Sequence, residues 1–258
     1  MTVPKPEADD ADRRALHERI AADLRDEIMS GDLPPGGKLP STVRLKERFV
    51  ASNATVQKAL NLLKDEGLVV GRAGAAVTVR EHRQRTMRPA SYMAPAASGE
   101  PYRWLTEAKR HGTPRSRLLD VAETGPPADV AAALGLGEGD TALLRCQVLT
   151  IDDEPVELVH SYYPLEIARG TAIMERRLIK GGTPRLLTEL GHPPRLSVDR
   201  VSARVATQEQ YSALRLSSSL PVLRTLRVVY SDDQRPIEAT VMAKAGHLYE
   251  VQYEITPE

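Results

Sequence analysis

The 258-residue sequence predicts an α+β chain of two domains, a small helical domain that ends in a β-hairpin and a larger domain of mixed helices and strands. Two observations lead to this prediction. Near the N-terminus apolar residues recur every four positions, which is typical of an amphipathic helix. In the second half β-rich runs alternate with short helical segments, and the length allows about two domains.

Composition narrows the class of protein. Apolar residues make up 41% of the chain and charged residues 27%, which excludes a fibrous or wholly disordered protein. No run of 18 apolar residues is present, so we expect no transmembrane span and no membrane partner. The polar start shows no secretory signal and Cys146 is the single cysteine, so we expect a cytoplasmic protein without disulfides.

The formal charge is zero, with 35 basic and 35 acidic residues, but it is unevenly distributed. Residues 37–88 carry a net charge of +7, whereas residues 1–36 carry −4 and residues 89–258 carry −3. A strongly basic segment inside a neutral protein is typical of a modular nucleic-acid binder. A basic surface that only maintains solubility is the alternative that composition leaves open.

The first helix is expected over residues 16–30, after a disordered N-terminus at 1–12. Gly31 ends this helix, and the two prolines that follow cannot continue it. Ser41 is a predicted N-cap for a short second helix that buries Leu45 and Phe49. The apolar stripe of the first helix is formed by Leu16, Ile20, Leu24 and Ile28.

The third helix is expected to begin after Ser52, a second N-cap, and to end near residue 66 with Val56, Leu60 and Leu63 buried. Residues 68–71 and 76–79 then predict two short strands. Three helices with a tight turn before the third, followed by a two-stranded wing, are typical of a winged helix-turn-helix domain, here residues 13–80. The third helix of such a domain enters the DNA major groove.

The segments "GDLPPGGKLPS" and "SNATVQKALNLLKDEGLV", with a wing glycine at Gly74, resemble the DNA-binding domain of GntR-type transcriptional regulators. In that family arginines commonly begin the second and third helices and read guanines. The corresponding positions here are Val43, Asn53 and Gln57, and both amides suit bidentate pairing with adenine. The resemblance implies that double-stranded DNA is contacted by Arg44, Lys46, Ser52, Asn53, Thr55, Gln57, Lys58, Arg72 and Gly74.

Not all of these contacts would carry sequence information. Arg44, Lys46, Lys58 and Arg72 are expected to contact phosphates without regard to sequence. Asn53 and Gln57 would otherwise be ordinary solvated residues of a helix.

Residues 81–100 lose periodicity and gather Pro, Ala, Ser and Gly, which predicts a linker between the domains. Its basic part, up to Arg88, either extends the DNA footprint or is merely solvated.

The second domain is expected over residues 101–258. Its helices are predicted over residues 104–111, 129–136, 183–190 and 207–216, the last with a capping box of Thr207 and Gln210. Its strands are predicted over residues 141–150, 156–163, 196–206, 222–230, 237–243 and 249–255.

Two hairpins within this domain echo each other: "LLRCQVLTIDDEPVE" and "LRTLRVVYSDDQRPIE". Both place Asp-Asp at the turn and Pro-apolar-Glu at the start of the return strand. The repeat predicts that Glu157 and Glu238 occupy equivalent places on one sheet. The alternative is that each carboxylate simply faces water.

This half of the chain resembles the ligand-sensing (UTRA-type) domain of the HutC subgroup, which shares a chorismate-lyase-like fold. The resemblance implies an effector site formed by Arg145, Glu157, Ser161, Tyr163 and Glu238. A second strand arginine of the sugar-phosphate sensors is replaced by Gln147, and a tyrosine-containing loop by residues 244–247. We therefore expect an effector that is less anionic than an amino-sugar phosphate, or none.

Catalysis is the competing class of function. The six histidines show no metal-ligand spacing, and no nucleophile elbow or phosphate-binding loop is present, so we expect no catalytic residues, metal or cofactor. His160 and Ser161 are neighbours on a strand and would point to opposite faces. The sequence thus predicts a homodimeric repressor that leaves a palindromic operator when an effector binds. Two alternatives remain. One is a constitutive repressor, for example of plasmid transfer genes, whose second domain only dimerises. The other is a DNA-tethered lyase-like enzyme.

Overall fold

The chain divides into two compact units, residues 1–84 and 85–258. Its structure, a computed structural model, describes residues 12–71, 76–81, 84–89, 97, 100–217 and 220–254. The wing residues Arg72 and Gly74 and nearly all of the expected disordered N-terminus lie outside the described residues. Among the described helices, none combines the length and the apolar character that crossing a membrane requires.

The first unit contains helices α1 (Leu16–Ser30), α2 (Thr42–Phe49) and α3 (Asn53–Asp65). Both predicted N-caps are confirmed, because the Ser41 and Ser52 side chains accept hydrogen bonds from the backbone N–H groups of Arg44 and Thr55. Val50 turns the chain between α2 and α3 in the left-handed region, at φ 49°. The core of the unit is formed by Ile20, Leu24, Ile28, Leu45, Val56 and Leu63, which are fully buried, whereas Phe49 is only half-buried.

The hairpin of this unit consists of β1 (Val69–Val70) and β2 (Thr78–Val79), paired antiparallel. The loop before α2 pairs with β2 as a third, strand-like segment. The Leu39 N–H donates to the Val77 carbonyl at 2.9 Å, and Lys38 forms an antiparallel bridge with Thr78. The predicted winged helix-turn-helix is therefore confirmed.

The second unit is built on an antiparallel sheet of six strands in the order β4-β5-β6-β9-β8-β7. The strands are β4 (Pro114–Thr124), β5 (Ala142–Ile151), β6 (Glu154–Pro164), β7 (Leu196–Arg204), β8 (Val222–Tyr230) and β9 (Pro236–Ala245). Among the described residues of this unit, five short α-helices accompany the sheet: α4 (Arg103–Ala108), α5 (Ala128–Leu134), α6 (Leu165–Ala168), α7 (Thr183–Glu189) and α8 (Gln208–Ala213). The same residues include 3₁₀ turns at Lys109–His111, Ala172–Met174 and Asp232–Gln234.

Two strands were not predicted from the sequence. Strand β4 lies at an edge of the sheet and is half-exposed, so its apolar alternation is too weak to recognise. Strand β3 (Arg85–Met87) falls in the expected linker, yet it pairs in parallel with β10 (Tyr249–Val251) and buries Met87. The prediction of a linker is therefore wrong for these three residues, because a partner 164 positions away orders them.

The two hairpins with related sequences lie in this one sheet. Glu157 is opposite Leu149 on β5, and Glu238 is opposite Val229 on β8. In both hairpins a β-bulge follows directly, between residues 149 and 150 and between residues 229 and 230. The predicted equivalence of Glu157 and Glu238 is therefore confirmed, down to the position of the bulge.

Candidate functional site

Helix α3 presents its predicted reading residues to solvent. Asn53 and Gln57 are both exposed and lie one turn apart, beside the face of the helix that buries Val56, Leu60 and Leu63. Since residues four apart share a helix face, the two amides can approach neighbouring base pairs together.

Ser52 and Thr55 hold the start of α3. The Ser52 and Thr55 hydroxyls are 2.8 Å apart, and the Ser52 oxygen also accepts the Thr55 N–H at 3.1 Å. Both predicted DNA contacts are therefore engaged in capping the helix. Their first effect is to orient the N–H groups at the end of α3 that carries Asn53.

The cations predicted to contact phosphate are also exposed. Arg44, Lys46 and Lys58 form no ion pair with another residue of the described part of the chain. Arg48, by contrast, is paired with Glu27 and lies over the ring of Phe49, 4.7 Å from its centroid. Arg48 is therefore engaged by the protein, whereas Arg44, Lys46 and Lys58 are available to bind a polyanion.

The second unit contains a cavity of about 170 Å³ over one face of its sheet. Strands β4 to β9 form its floor, and residues 178–184 and helix α4 form its walls. Its lining includes Tyr102, Trp104, Arg145, Glu157, Ser161, Arg227, Glu238 and Thr240.

Hydrogen-bonded hydroxyls surround Glu238 on this floor. The Ser161 and Thr240 hydroxyls are 2.9 Å apart, and Thr240 donates to the Glu238 carboxylate at 2.7 Å. Burial raises the pKa of Glu238, while hydrogen bonds from Thr240, Tyr163 and Ser161 act in the opposite direction. The result is a buried carboxyl with hydroxyl partners.

Glu157 has a different partner in the equivalent place. The Lys244 ammonium donates to its carboxylate at 2.5 Å, and both side chains are almost fully buried, at 3% and 4% exposure. Glu157 precedes Tyr163 by six positions on β6, as Glu238 precedes Lys244 on β9. Antiparallel pairing then sets Glu157 against an ammonium and Glu238 against a phenol, so the two related carboxylates have unlike electrostatic settings.

The two arginines of the cavity are held by the protein itself. Arg145 donates to the carbonyls of Ile173, Glu175 and Arg177 at 2.6, 2.8 and 2.6 Å. Arg227 makes a bidentate pair with Asp199, with both N–O distances 2.7 Å. Arg145 therefore organises the segment that leads into the cavity wall, and burial lowers the pKa of its guanidinium.

Tyr163 does not line the cavity. Its ring is buried in the core beneath, and burial raises the pKa of its phenol well above the ordinary value. On the opposite wall Gly182 has φ +83°, and a Cβ there would lie 2.6 Å from the Tyr102 ring. Glycine is thus required at this position for Tyr102 to reach the cavity.

Four of the five effector residues implied by the resemblance line this cavity, namely Arg145, Glu157, Ser161 and Glu238. Sequence reasoning missed Trp104, Asp199, Arg227 and Thr240. The hairpin repeat held a signal for one of them, because Arg227 precedes Val229 as Gln147 precedes Leu149. Trp104 and Asp199 lie in segments with no counterpart in that repeat.

The other face of the sheet brings together Cys146, His160 and Glu209, whose donor atoms lie within 4.8 Å of one another. These residues come from β5, β6 and α8, so spacing along the sequence could not reveal them. The His160 ring and the Glu209 carboxylate are 3.0 Å apart, and burial raises the pKa of the Cys146 thiol to about 12. Ser161 bonds on the cavity side instead, so these neighbours form no nucleophile–base pair.

Together, an exposed helix-turn-helix surface and a domain with a polar cavity define a DNA-binding transcriptional regulator with an effector-binding domain. Residues 16–79 match the gntR family of bacterial regulatory proteins, and residues 109–250 match the UTRA domain. The chain therefore belongs to the GntR family of transcriptional regulators, in its UTRA-containing group.

Relatives of similar length match this chain over most of its residues. The HTH-type transcriptional regulator GgaR of Escherichia coli is 25% identical over 93% of this chain and 90% of its own. The HTH-type transcriptional repressor NagR of Bacillus subtilis is 25% identical over 91% of this chain and 92% of its own. The crystal structure of PhnF from Mycobacterium smegmatis has the same fold, with 21% identity, a TM-score of 0.53, and coverage of 92% of this chain and 100% of that one.

Proposed function

We propose that this GntR-family regulator is a homodimeric cytoplasmic repressor, and that a small molecule bound in the cavity of its UTRA domain releases it from a palindromic operator. The observation that carries the proposal is the cavity, whose lining holds four charged side chains and several hydroxyls among apolar residues. Linkage supplies the mechanism. A ligand that binds better to the form unable to contact both half-sites must weaken DNA binding by the same factor.

Dimerisation is supported by strand β7. It is an edge strand of the sheet, and Leu196 and Val198 on it are 53% and 43% exposed. A long edge with exposed apolar side chains is usually covered by another chain or element. A two-fold pair of subunits would also match the symmetry of a palindromic operator.

The dimer is tested by light scattering during size-exclusion chromatography. Leu196→Glu/Val198→Glu should give a monomer, while Leu119→Glu, on the edge strand β4 at the other end of the sheet, should leave the dimer intact. A wild-type monomer, or a dimer that survives the double substitution, contradicts this part of the proposal.

Effector release is tested on the full-length protein with an operator selected from random or genomic DNA. A metabolite that stabilises the protein in a thermal-shift screen should also lower operator affinity. At 100 times its Kd such a ligand stabilises by about 2.7 kcal/mol. If ligands bind in the cavity but operator affinity is unchanged, the protein is a constitutive repressor. If a bound ligand is converted to product, the lyase-like alternative is correct.

A further inference from the structure

Resting on the proposed effector role of the cavity, we propose that it selects an uncharged, hydroxyl-bearing small molecule, such as a sugar or polyol without a phosphate or carboxylate. The protein itself already holds the charged groups of the cavity, and this favours an uncharged ligand.

The cations at the cavity are directed to protein groups. Arg145 donates to three backbone carbonyls, Arg227 is bidentate to Asp199, and Lys244 is bonded to Glu157. An anionic ligand would have to compete with these charge-assisted hydrogen bonds. If it displaced them, a carboxylate or several backbone carbonyls of the protein would lose their hydrogen-bond donors. The cavity therefore lacks the arrangement that favours a phosphate.

The carboxylates of the floor point to the opposite preference. Glu157 and Glu238 both line the cavity, and the four charged lining side chains, with Arg145 and Arg227, sum to no net charge. A phosphate there would approach two buried carboxylates and lose its hydration, while the two arginines are already bonded to protein groups. Ligand hydroxyls, in contrast, can donate to carboxylate oxygens without any change in charge.

Trp104 lines the cavity with a side chain that is only 2% exposed. Its indole Nε1 is buried without a hydrogen-bond partner among the described residues and has no surface that a ligand acceptor could contact. Trp104 therefore offers a ligand its apolar ring and no hydrogen bond.

Size agrees with a small metabolite. The cavity of about 170 Å³ is smaller than the roughly 300–1,000 Å³ of sites for drug-sized ligands. Tyr102 and Trp104 supply aromatic walls against which the apolar C–H face of a sugar can pack.

Trp104 is the single tryptophan of the chain, so its fluorescence reports binding at the cavity directly. The full-length protein is titrated with glucose, mannitol and myo-inositol, each compared with its own monophosphate. We expect saturable binding of at least one uncharged probe, at least tenfold tighter than that of its phosphate. Tighter binding of a phosphate, or no saturable response to any uncharged probe, overturns the proposal.

Variants separate this ligand preference from general damage to the domain. Asp199→Asn removes the carboxylate that holds Arg227 and should improve binding of the phosphate member of the pair. His160→Gln, on the other sheet face, is the matched control and should change neither affinity. An unchanged preference in Asp199→Asn contradicts the proposal.

Operator affinity is measured in parallel, because the two proposals fail differently. An uncharged probe that binds but leaves operator affinity unchanged refutes the release mechanism and supports the ligand class. A phosphorylated probe that binds and releases the operator supports the release mechanism and refutes the ligand class.

Discussion

Removing Lys244 should destabilise the second domain far more than removing an exposed cation. The Lys244–Glu157 pair has an N–O distance of 2.5 Å, and its side chains are only 4% and 3% exposed. Lys244→Met keeps most of the side-chain volume but leaves a buried carboxylate without its partner. Breaking a buried pair in this way costs about 3–5 kcal/mol.

The matched control is Arg115→Met. Arg115 pairs with Asp153 on the surface, where the side chains are 64% and 75% exposed, and such pairs contribute roughly 0–1 kcal/mol. Urea unfolding followed by Trp104 fluorescence reports the same unit for both variants. We expect the free energy of unfolding to fall by about 3 kcal/mol or more for Lys244→Met and by less than about 1 kcal/mol for the control.

A double variant identifies the cause of the loss. Lys244→Met/Glu157→Gln removes the buried charge as well as its partner, so it should recover much of the stability lost in Lys244→Met. If the double variant is no more stable than the single one, the loss comes from packing of the lysine stem. Equal losses for Lys244→Met and Arg115→Met would refute the reasoning altogether.

Three further outcomes are expected. Asn53→Ala should reduce the discrimination between operator and random DNA, and equal losses of affinity for both DNAs would contradict base reading. Lys58→Ala should instead weaken binding to both DNAs and flatten the salt dependence of binding. Because burial raises the folded-state pKa of Glu238, the contribution of this group to stability should fall as the pH rises from about 4.3 through that pKa. Glu238→Gln should therefore gain stability relative to the wild type over the same window in urea denaturation series, and a constant difference would refute this. The thiol of Cys146, with a pKa of about 12, should react with a disulfide reagent far more slowly in the native than in the unfolded protein at neutral pH, and equal rates would contradict its burial.

Local signals predicted the elements of the first domain well. Ser41 and Ser52 are N-caps because a side-chain oxygen can satisfy an orphan N–H wherever the following residues are helical, and this depends on only a few neighbouring positions. The capping box of Thr207 and Gln210 is confirmed for the same reason. The helix there ends at Ala213, earlier than predicted, because Arg215 adopts a left-handed conformation.

Elements whose order depends on distant partners were not recognisable. Strand β3 is three residues long and exists through hydrogen bonds to β10, and β4 shows little apolar alternation because one of its edges faces solvent. The same limit applies to the cavity. The implied ligand contact Arg145 holds backbone carbonyls of a segment about thirty residues later, and no motif in the sequence states that contact.

The sequence by itself determined the two domains, the helix α3 with Asn53 and Gln57 near its start, and the equivalence of Glu157 and Glu238. Periodicity, capping and turn motifs involve residues that are close together in the chain, so they can be recognised from the sequence alone. Only the tertiary structure decided which charges neutralise one another. Pairing of β6 with β9 gives Glu157 an ammonium and Glu238 a phenol. These partners matter because both carboxyl groups are buried, and a charge removed from water must be compensated within contact distance.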